Sequence, residues 1–286
     1  MPELPEVETV RRGLEPVLLG ARFKTVTTRR ADLRFPFPPR FTQRLVGARV
    51  GAFVRRGKYM IAELSTGESL ILHLGMTGRF TVDGARRSDP GVFYYAEPPD
   101  PRHDHVLFEV AGGAPARIIY NDPRRFGFMD LVETAGLEAS AHFAGMGPEP
   151  LGPGFTAETF NASLRNKTAP IKAALLDQRI VAGVGNIYAC EALFRAGVSP
   201  KRRAASVSGQ RGARLWRAVR EVLVEAIEAG GSTLRDFAAS DGAQGGFQQR
   251  FSVYDREGEP CPVCARPVRR IVQAGRSSFY CGTCQC

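Results

Sequence analysis

The feature that most constrains the fold is a pair of cysteine pairs, Cys261-Pro-Val-Cys264 and Cys281-Gly-Thr-Cys284, with positions 265 to 280 between them. Two such pairs at this separation can close a tetrahedral zinc site, each forming a tight knuckle with a hairpin between them. Four thiolates leave no open coordination position, so the pattern predicts one structural Zn2+ held by Cys261, Cys264, Cys281 and Cys284. Cys286 is an extra thiol that could compete with Cys284, but it breaks the two-residue spacing. Cys190 lies among apolar residues on an expected helix and reads as core. No apolar run approaches the ~18 residues of a membrane span, and the N-terminus has no signal-peptide core. The expectation is a cytoplasmic protein, where clustered cysteines point to metal rather than disulfides.

The balance of charge is basic. Lys plus Arg number 39 against 29 Asp plus Glu, for a net charge of +10 and a pI near 9.7. A surplus of that size suggests a polyanionic partner. Lysine is sparse, appearing only at Lys24, Lys58, Lys167, Lys172 and Lys201. An apolar fraction of 43% over 286 residues is that of a globular chain with room for two cored domains.

Taken in order, Val7, Val10, Leu14 and Leu18 recur at helical spacing and predict a helix over residues 5–19, stopped by Gly20. From about Arg22 to Val132 the pattern is β. Residues 59–64 and 70–74 flank one hairpin turn, and 106–110 and 116–120 flank another. Turn signals at roughly ten-residue spacing suggest a sandwich or barrel. Residues 36–39 and 98–101 are proline-rich loops. Glycines and prolines crowd the end of the segment 133–154, which reads as a linker. Helical periodicity then covers 157–164, 170–176, 186–196 and 211–228. Residues 232–249 read as a polar, glycine-bearing loop.

Several constellations carry chemistry. Pro2 follows the initiator methionine, and trimming of Met1 would leave a secondary amine beside the Glu3 carboxylate. An α-amino group has a reference pKa near 8, so roughly a tenth is unprotonated at neutral pH. Such an amine can attack a sugar carbon, and the resulting iminium is an electron sink. On the dipeptide alone, an ordinary chain start is the simpler reading. Gly183 and Gly185 precede an expected helix and let backbone amides approach an anion, while Asn186 could cap that helix or donate to phosphate. Arg266, Arg269, Arg270 and Arg276 on the cysteine hairpin suit phosphate contact or a solvated basic face. His103-Asp104-His105 makes a poor metal pair, because alternate strand residues face opposite sides.

The opening Pro2-Glu3-Leu4-Pro5-Glu6-Val7-Glu8-Thr9 resembles that of the formamidopyrimidine-DNA glycosylases. So do Gly57-Lys58, His73-Leu74-Gly75-Met76-Thr77-Gly78, Asp122-Pro123-Arg124-Arg125-Phe126-Gly127, the run from Lys167 to Ala189, and Gly275-Arg276-Ser277-Ser278-Phe279-Tyr280-Cys281. The resemblance spans nearly the whole chain. It implies an α+β multidomain protein: a catalytic β-sandwich domain with an N-terminal helix (1–133), a linker (134–154), a helix–two-turn–helix domain with a lesion-capping loop (155–249) and a four-cysteine zinc-ribbon hairpin (250–286). It implies a bifunctional DNA glycosylase and AP lyase that excises oxidised purines from damaged double-stranded DNA through a Pro2 Schiff base, followed by β,δ-elimination.

Glu3 would act as general acid/base, Lys58 in proton transfer, and Arg276 in DNA contact and the final elimination. Met76, Arg124 and Phe126 would fill the hole left by a flipped nucleotide. His103 and Arg125 would touch DNA, and Lys167, Lys172 and Asn186 would lie at its backbone or at the damaged nucleotide. A monomer with a basic cleft is expected. Two alternatives stay open on the residues: a sister-group glycosylase for oxidised pyrimidines, whose opening motif usually has Gly where this chain has Leu4, and a non-catalytic zinc-ribbon DNA-binding protein.

Overall fold

A computed structural model describes residues 2–84, 88–90, 99–112, 116–232 and 246–286. Positions 233–245, in the segment expected to cap the lesion, and positions 85–87, 91–98 and 113–115 lie outside the described residues.

Helix α1 runs Leu4–Leu18, close to the span predicted from the apolar spacing. Its start is set by the side chain of Glu6, which accepts the backbone N–H of Glu3 at 2.8 Å. Pro5 stands in the first turn, where a missing N–H costs nothing. Val7, Val10, Leu14 and Leu18 form its buried face. Gly13, an odd residue for a helix interior, has a packing reason: a Cβ there would stand 2.7 Å from the Cβ of Pro90.

The chain then alternates strands and turns: β1 (Arg22–Thr28), a short helix α2 (Phe41–Leu45), β2 (Val50–Arg56), β3 (Tyr59–Leu64), β4 (Glu68–His73), β5 (Arg79–Asp83), β6 (Asp104–Ala111), β7 (Ala116–Asn121) and β8 (Phe128–Glu133). Among the described residues they form two antiparallel sheets, ordered β1-β6-β7-β5 and β2-β3-β4-β8. Both expected hairpins are present, pairing Tyr59 with His73 and Val110 with Ala116. The two sheets and α1 share one apolar core that includes Val10, Leu14, Phe53, Met60, Phe80, Phe108 and Tyr120. The five residues of α2 are too few to show a period, and Thr134–Ala139 forms 3-10 turns within the span read as linker.

The described residues fall into two units by their contacts, 2–144 in the first and 145–232 with 246–286 in the second. The second contains α3 (Ala157–Leu164), α4 (Ile171–Leu176), α5 (Asn186–Arg195), α6 (Gly209–Glu228) and the hairpin β9 (Arg269–Gln273) and β10 (Arg276–Tyr280). Thr156 caps α3 by accepting from the Thr159 N–H at 3.2 Å. Helix α6 packs on α3 and α5, and α5 packs on β10. The buried Glu191 of α5 accepts the backbone N–H groups of Ser252, Val253 and Tyr254 at 2.9, 3.0 and 2.8 Å. It holds the segment that leads into the cysteine hairpin. No helix among the described residues is long and apolar enough to cross a membrane.

Glu191→Ala would strand three backbone donors, each worth about 1–3 kcal/mol when buried and unsatisfied. We expect a loss of about 3 kcal/mol or more in denaturant unfolding, with faster amide exchange at residues 252–254.

Candidate active site

The first unit carries the chain start. Pro2 is buried, and Glu3 is 5% and Lys58 8% exposed. Lys58 follows Gly57, whose φ of 57° lies in the left-handed region and turns β2 into β3. Helix α1 packs on both strands. Beside them stands His73, at the end of β4. Its Nδ1 accepts the Gly75 N–H at 3.1 Å, so in the neutral ring the proton sits on Nε2. Its ring stacks on Phe128, with centroids 5.1 Å apart. Burial, then the charges of Lys58, Arg34 and His142, hold its pKa down at about 4.

Two loops meet next to it. One carries Met76, the other Arg124, Arg125 and Phe126. Met76 and Phe126 are 42% and 41% exposed, and the Arg124 guanidinium lies 4.5 Å from the centre of the Phe126 ring. The loops are joined by Asp122, which is fully buried. Its carboxylate accepts from the Thr77 hydroxyl, from the Tyr120 hydroxyl at 3.2 Å and from the Gly127 N–H at 2.8 Å. The loops touch so closely that a Cβ on Gly75 would stand 2.2 Å from the backbone of Phe126. Arg125 has a φ of 53°, a conformation that costs a non-glycine residue about 1 kcal/mol or more. Asp32, Arg34, His73, Met76, Arg124 and Phe126 line a cavity of about 630 Å³ between these loops. A second cavity, about 420 Å³, is walled by Arg29, Arg30, Arg102, His103, His105 and Arg125. His103 ends a 3-10 turn rather than sharing a strand with His105, whose Nε2 lies 3.0 Å from the Asp122 carbonyl oxygen.

In the second unit, Gln178 holds the glycine turn. Its Oε1 accepts the Gly183 N–H at 2.7 Å, and its Nε2 donates to the Val184 carbonyl at 3.1 Å. Gly185 caps α5, so Asn186 is the first helical residue and not the cap. Its Nδ2 donates to the Ser277 carbonyl at 3.1 Å. Lys172, which the resemblance puts at the nucleic-acid backbone or at the damaged nucleotide, has its ammonium taken up by the β9–β10 hairpin. It is 1% exposed, and its ammonium donates to the Ser277 carbonyl and the Ser278 hydroxyl, both at 2.7 Å. A buried ammonium needs such acceptors. Lys167, in the same motif, is only half-buried. Arg276 is exposed and opens β10, just past the hairpin turn at Ala274 and Gly275. Both turn residues have positive φ, 48° and 72°, as a two-residue type I′ turn demands.

The cysteine hairpin closes at its base. The Sγ atoms of Cys261, Cys264, Cys281 and Cys284 all lie within 4.8 Å of one another. Tetrahedral Zn–S bonds of about 2.3 Å imply sulfur separations of about 3.8 Å. The Cys261–Cys284 and Cys264–Cys281 pairs stand 3.9 and 3.4 Å apart. The donor set therefore fits one structural Zn2+. Cys286 is exposed and outside this cluster, and Cys190 is buried in the core beneath it.

Asp122, Thr77 and Gln178 were not assigned roles from sequence, although all three sit inside the motifs quoted above. The available signal is a polar residue within five positions of a glycine in an irregular stretch, where backbone groups need side-chain partners.

Three family models match. The formamidopyrimidine-DNA glycosylase N-terminal domain covers residues 1–129, its H2TH domain covers 146–238, and the zinc finger found in FPG and IleRS covers 258–285. A formamidopyrimidine-DNA glycosylase of Methylobacterium is 58% identical over 100% of this chain and 99% of its own. The crystal structure of the MutM (Fpg) protein of Thermus thermophilus superimposes with a TM-score of 0.82 at 43% identity, over 99% of this chain and 98% of that one. The Lactococcus lactis Fpg, solved in complex with DNA containing an N7-benzyl-Fapy-dG, gives 0.83 at 32% identity, over 99% of each.

Removing the loop anchor with Asp122→Ala should cost about 3 kcal/mol or more, since three donors lose their acceptor. Hydrogen exchange at residues 75–78 and 123–127 would report it. His73 gives a pH signature. The unfolded chain takes up a proton near pH 6.5, the folded one only near pH 4. Folding stability therefore falls as pH drops from 6.5 towards 4, by about 1–3 kcal/mol from this group, with no further loss below. The pH dependence of unfolding in His73→Phe should be flatter across that window.

Proposed function

The chain belongs to the formamidopyrimidine-DNA glycosylase family, whose members are DNA glycosylases and AP lyases that excise oxidised purines in base excision repair, and we propose that its residues divide that work as follows. The observation that carries the reading is the immobilised chain start, a buried Pro2 and Glu3 at the head of a helix packed into the core. Once Met1 is removed, the Pro2 amine attacks C1′ of a flipped damaged nucleotide and the base leaves. Glu3 serves as general acid/base at the ring oxygen. The iminium acidifies the C2′ proton, and Lys58 takes part in its transfer. β- and then δ-elimination cut the strand on both sides, with Arg276 assisting the last step.

The partner is damaged double-stranded DNA, in keeping with the net charge of +10. Met76, Phe126 and Arg124 enter the stack behind the flipped nucleotide, the first two as apolar wedges and the arginine as donor to the orphaned base. Arg125 and His103 hold phosphate at the arginine-lined cavity. Lys167 and Asn186 act at the strand bearing the lesion. Lys172 serves that strand indirectly, by holding Ser277 and Ser278 beside Arg276. Residues 1–133 are the catalytic domain, 134–154 the linker, 155–249 the helix–two-turn–helix domain and 250–286 the zinc finger. The protein works as a cytoplasmic monomer.

Borohydride trapping on a duplex containing 8-oxoguanine opposite cytosine tests this reading. The expected product is a covalent adduct whose cross-linked peptide begins at Pro2. An adduct on a lysine would overturn the nucleophile. No adduct from protein confirmed to lack Met1, despite tight DNA binding, would overturn the substrate class or the chemistry.

A further inference from the structure

We propose that Glu8 and Arg55 are positioning residues that tie the Lys58 turn to the helix that follows Pro2 and Glu3, and so hold the two ends of the reaction in register. The Glu8 carboxylate on α1 accepts from Arg55 Nε at 3.2 Å, and Arg55 Nη1 donates to the Gly57 carbonyl at 2.9 Å. That carbonyl belongs to the peptide bond of Lys58. A continuous path therefore runs from Pro2, along the first turns of α1, through two side chains, to the backbone of Lys58. A neighbouring bond runs parallel to it: Arg11 Nη1 donates to the Phe53 carbonyl on β2 at 3.0 Å.

Three observations separate this link from an incidental surface ion pair. The side chains of Glu8, Arg11 and Arg55 are only 12%, 14% and 11% exposed, where exposed pairs contribute little. Glu8 receives Arg11, Arg12 and Arg55 together, with nitrogen–oxygen distances of 3.1, 2.9 and 3.2 Å. Burial alone would push its carboxyl up, but the hydrogen bonds from Arg11 and Arg12 and the charges of Arg11 and Arg55 outweigh that and hold it below the usual carboxylate range. Finally, α1 already packs on the sheet through Val7, Val10 and Leu14. Apolar packing resists separation but is non-directional. A guanidinium that donates one bond to the Glu8 carboxylate and another to the Gly57 carbonyl restricts rotation and sliding, and proton transfer between groups on separate elements loses rate steeply with small misplacements.

The inference rests on the reading of Pro2 as nucleophile and Lys58 as a proton-transfer group. The test uses full-length, zinc-loaded protein lacking Met1, on a duplex with an abasic site, under single-turnover conditions. Strand cleavage and the borohydride-trapped fraction are followed together. In Arg55→Gln, cleavage should slow about ten-fold while the trapped fraction on Pro2 stays level or rises, because the Schiff base forms but loses its proton slowly. The enzyme concentration that gives half-maximal cleavage should stay within two-fold. Glu8→Gln should behave alike, and the double variant should be no worse than Arg55→Gln alone. Cleavage unchanged within two-fold in a folded single variant, losses that multiply in the double variant, or trapping that falls in step with cleavage would each overturn the link. If Arg55→Gln fails to fold, Arg55→Lys is read by the same criteria, since it keeps the charge but not the two-pronged geometry. A wild-type adduct anywhere other than Pro2 would instead remove the reading on which the inference rests.

Discussion

The Pro2 amine proposed as nucleophile would be useful only if the start of the chain were held still. Chain termini usually fray, because few contacts oppose their conformational entropy. Here Pro2 and Glu3 are buried, and the helix that follows places Val7, Val10, Leu14 and Leu18 in the same core as both sheets. Glu6 adds a directed bond by accepting the Glu3 N–H. The β2–β3 turn with Lys58 is built on the strands against which this helix packs. The rest of the first unit can be understood as the wall that keeps this start in place.

The second theme is the use of buried side-chain oxygens to stiffen irregular backbone. Loops carry donors that secondary structure does not satisfy, and burial makes each one expensive. Asp122 answers this for the paired loops bearing Met76, Arg124 and Phe126. Gln178 does so for the glycine turn before α5, and Glu191 for the approach to the cysteine hairpin. Exposed side chains can then stand at defined positions, because the turns beneath them are anchored. The zinc site plays the same part for β9 and β10, whose length is too small to build a core of its own.

Much of this architecture was legible in the residues. Helix α1, the two hairpins, the helices near 157–164, 186–196 and 211–228, and the four zinc ligands all follow from spacing, and spacing is local. Short pieces were not legible. Helix α2 and the 3-10 turns at Thr134–Ala139 are held by their surroundings and have no period to read. Gly13 has no local reason to stand inside a helix, and its packing partner Pro90 is distant in sequence. His103 looked like a strand residue, yet it closes a turn capped by Asp100, whose side chain accepts the Arg102 N–H at 2.9 Å.

The two lysines of the motif at 167–172 mark the limit most clearly. Both are cationic, both lie in one short run, and both carried the same expectation. Sequence by itself determined the charge, the helical and strand periods, the proline behind Met1 and the cysteine spacing, since each is a property of neighbouring residues. Only the tertiary structure decided that Lys167 stays half in solvent while Lys172 is 1% exposed and bonded to Ser277 and Ser278. The physical reason is that burial of a charge is set by what arrives to cover it and accept its hydrogen bonds. For Lys172 those acceptors come from a hairpin more than a hundred positions further along the chain.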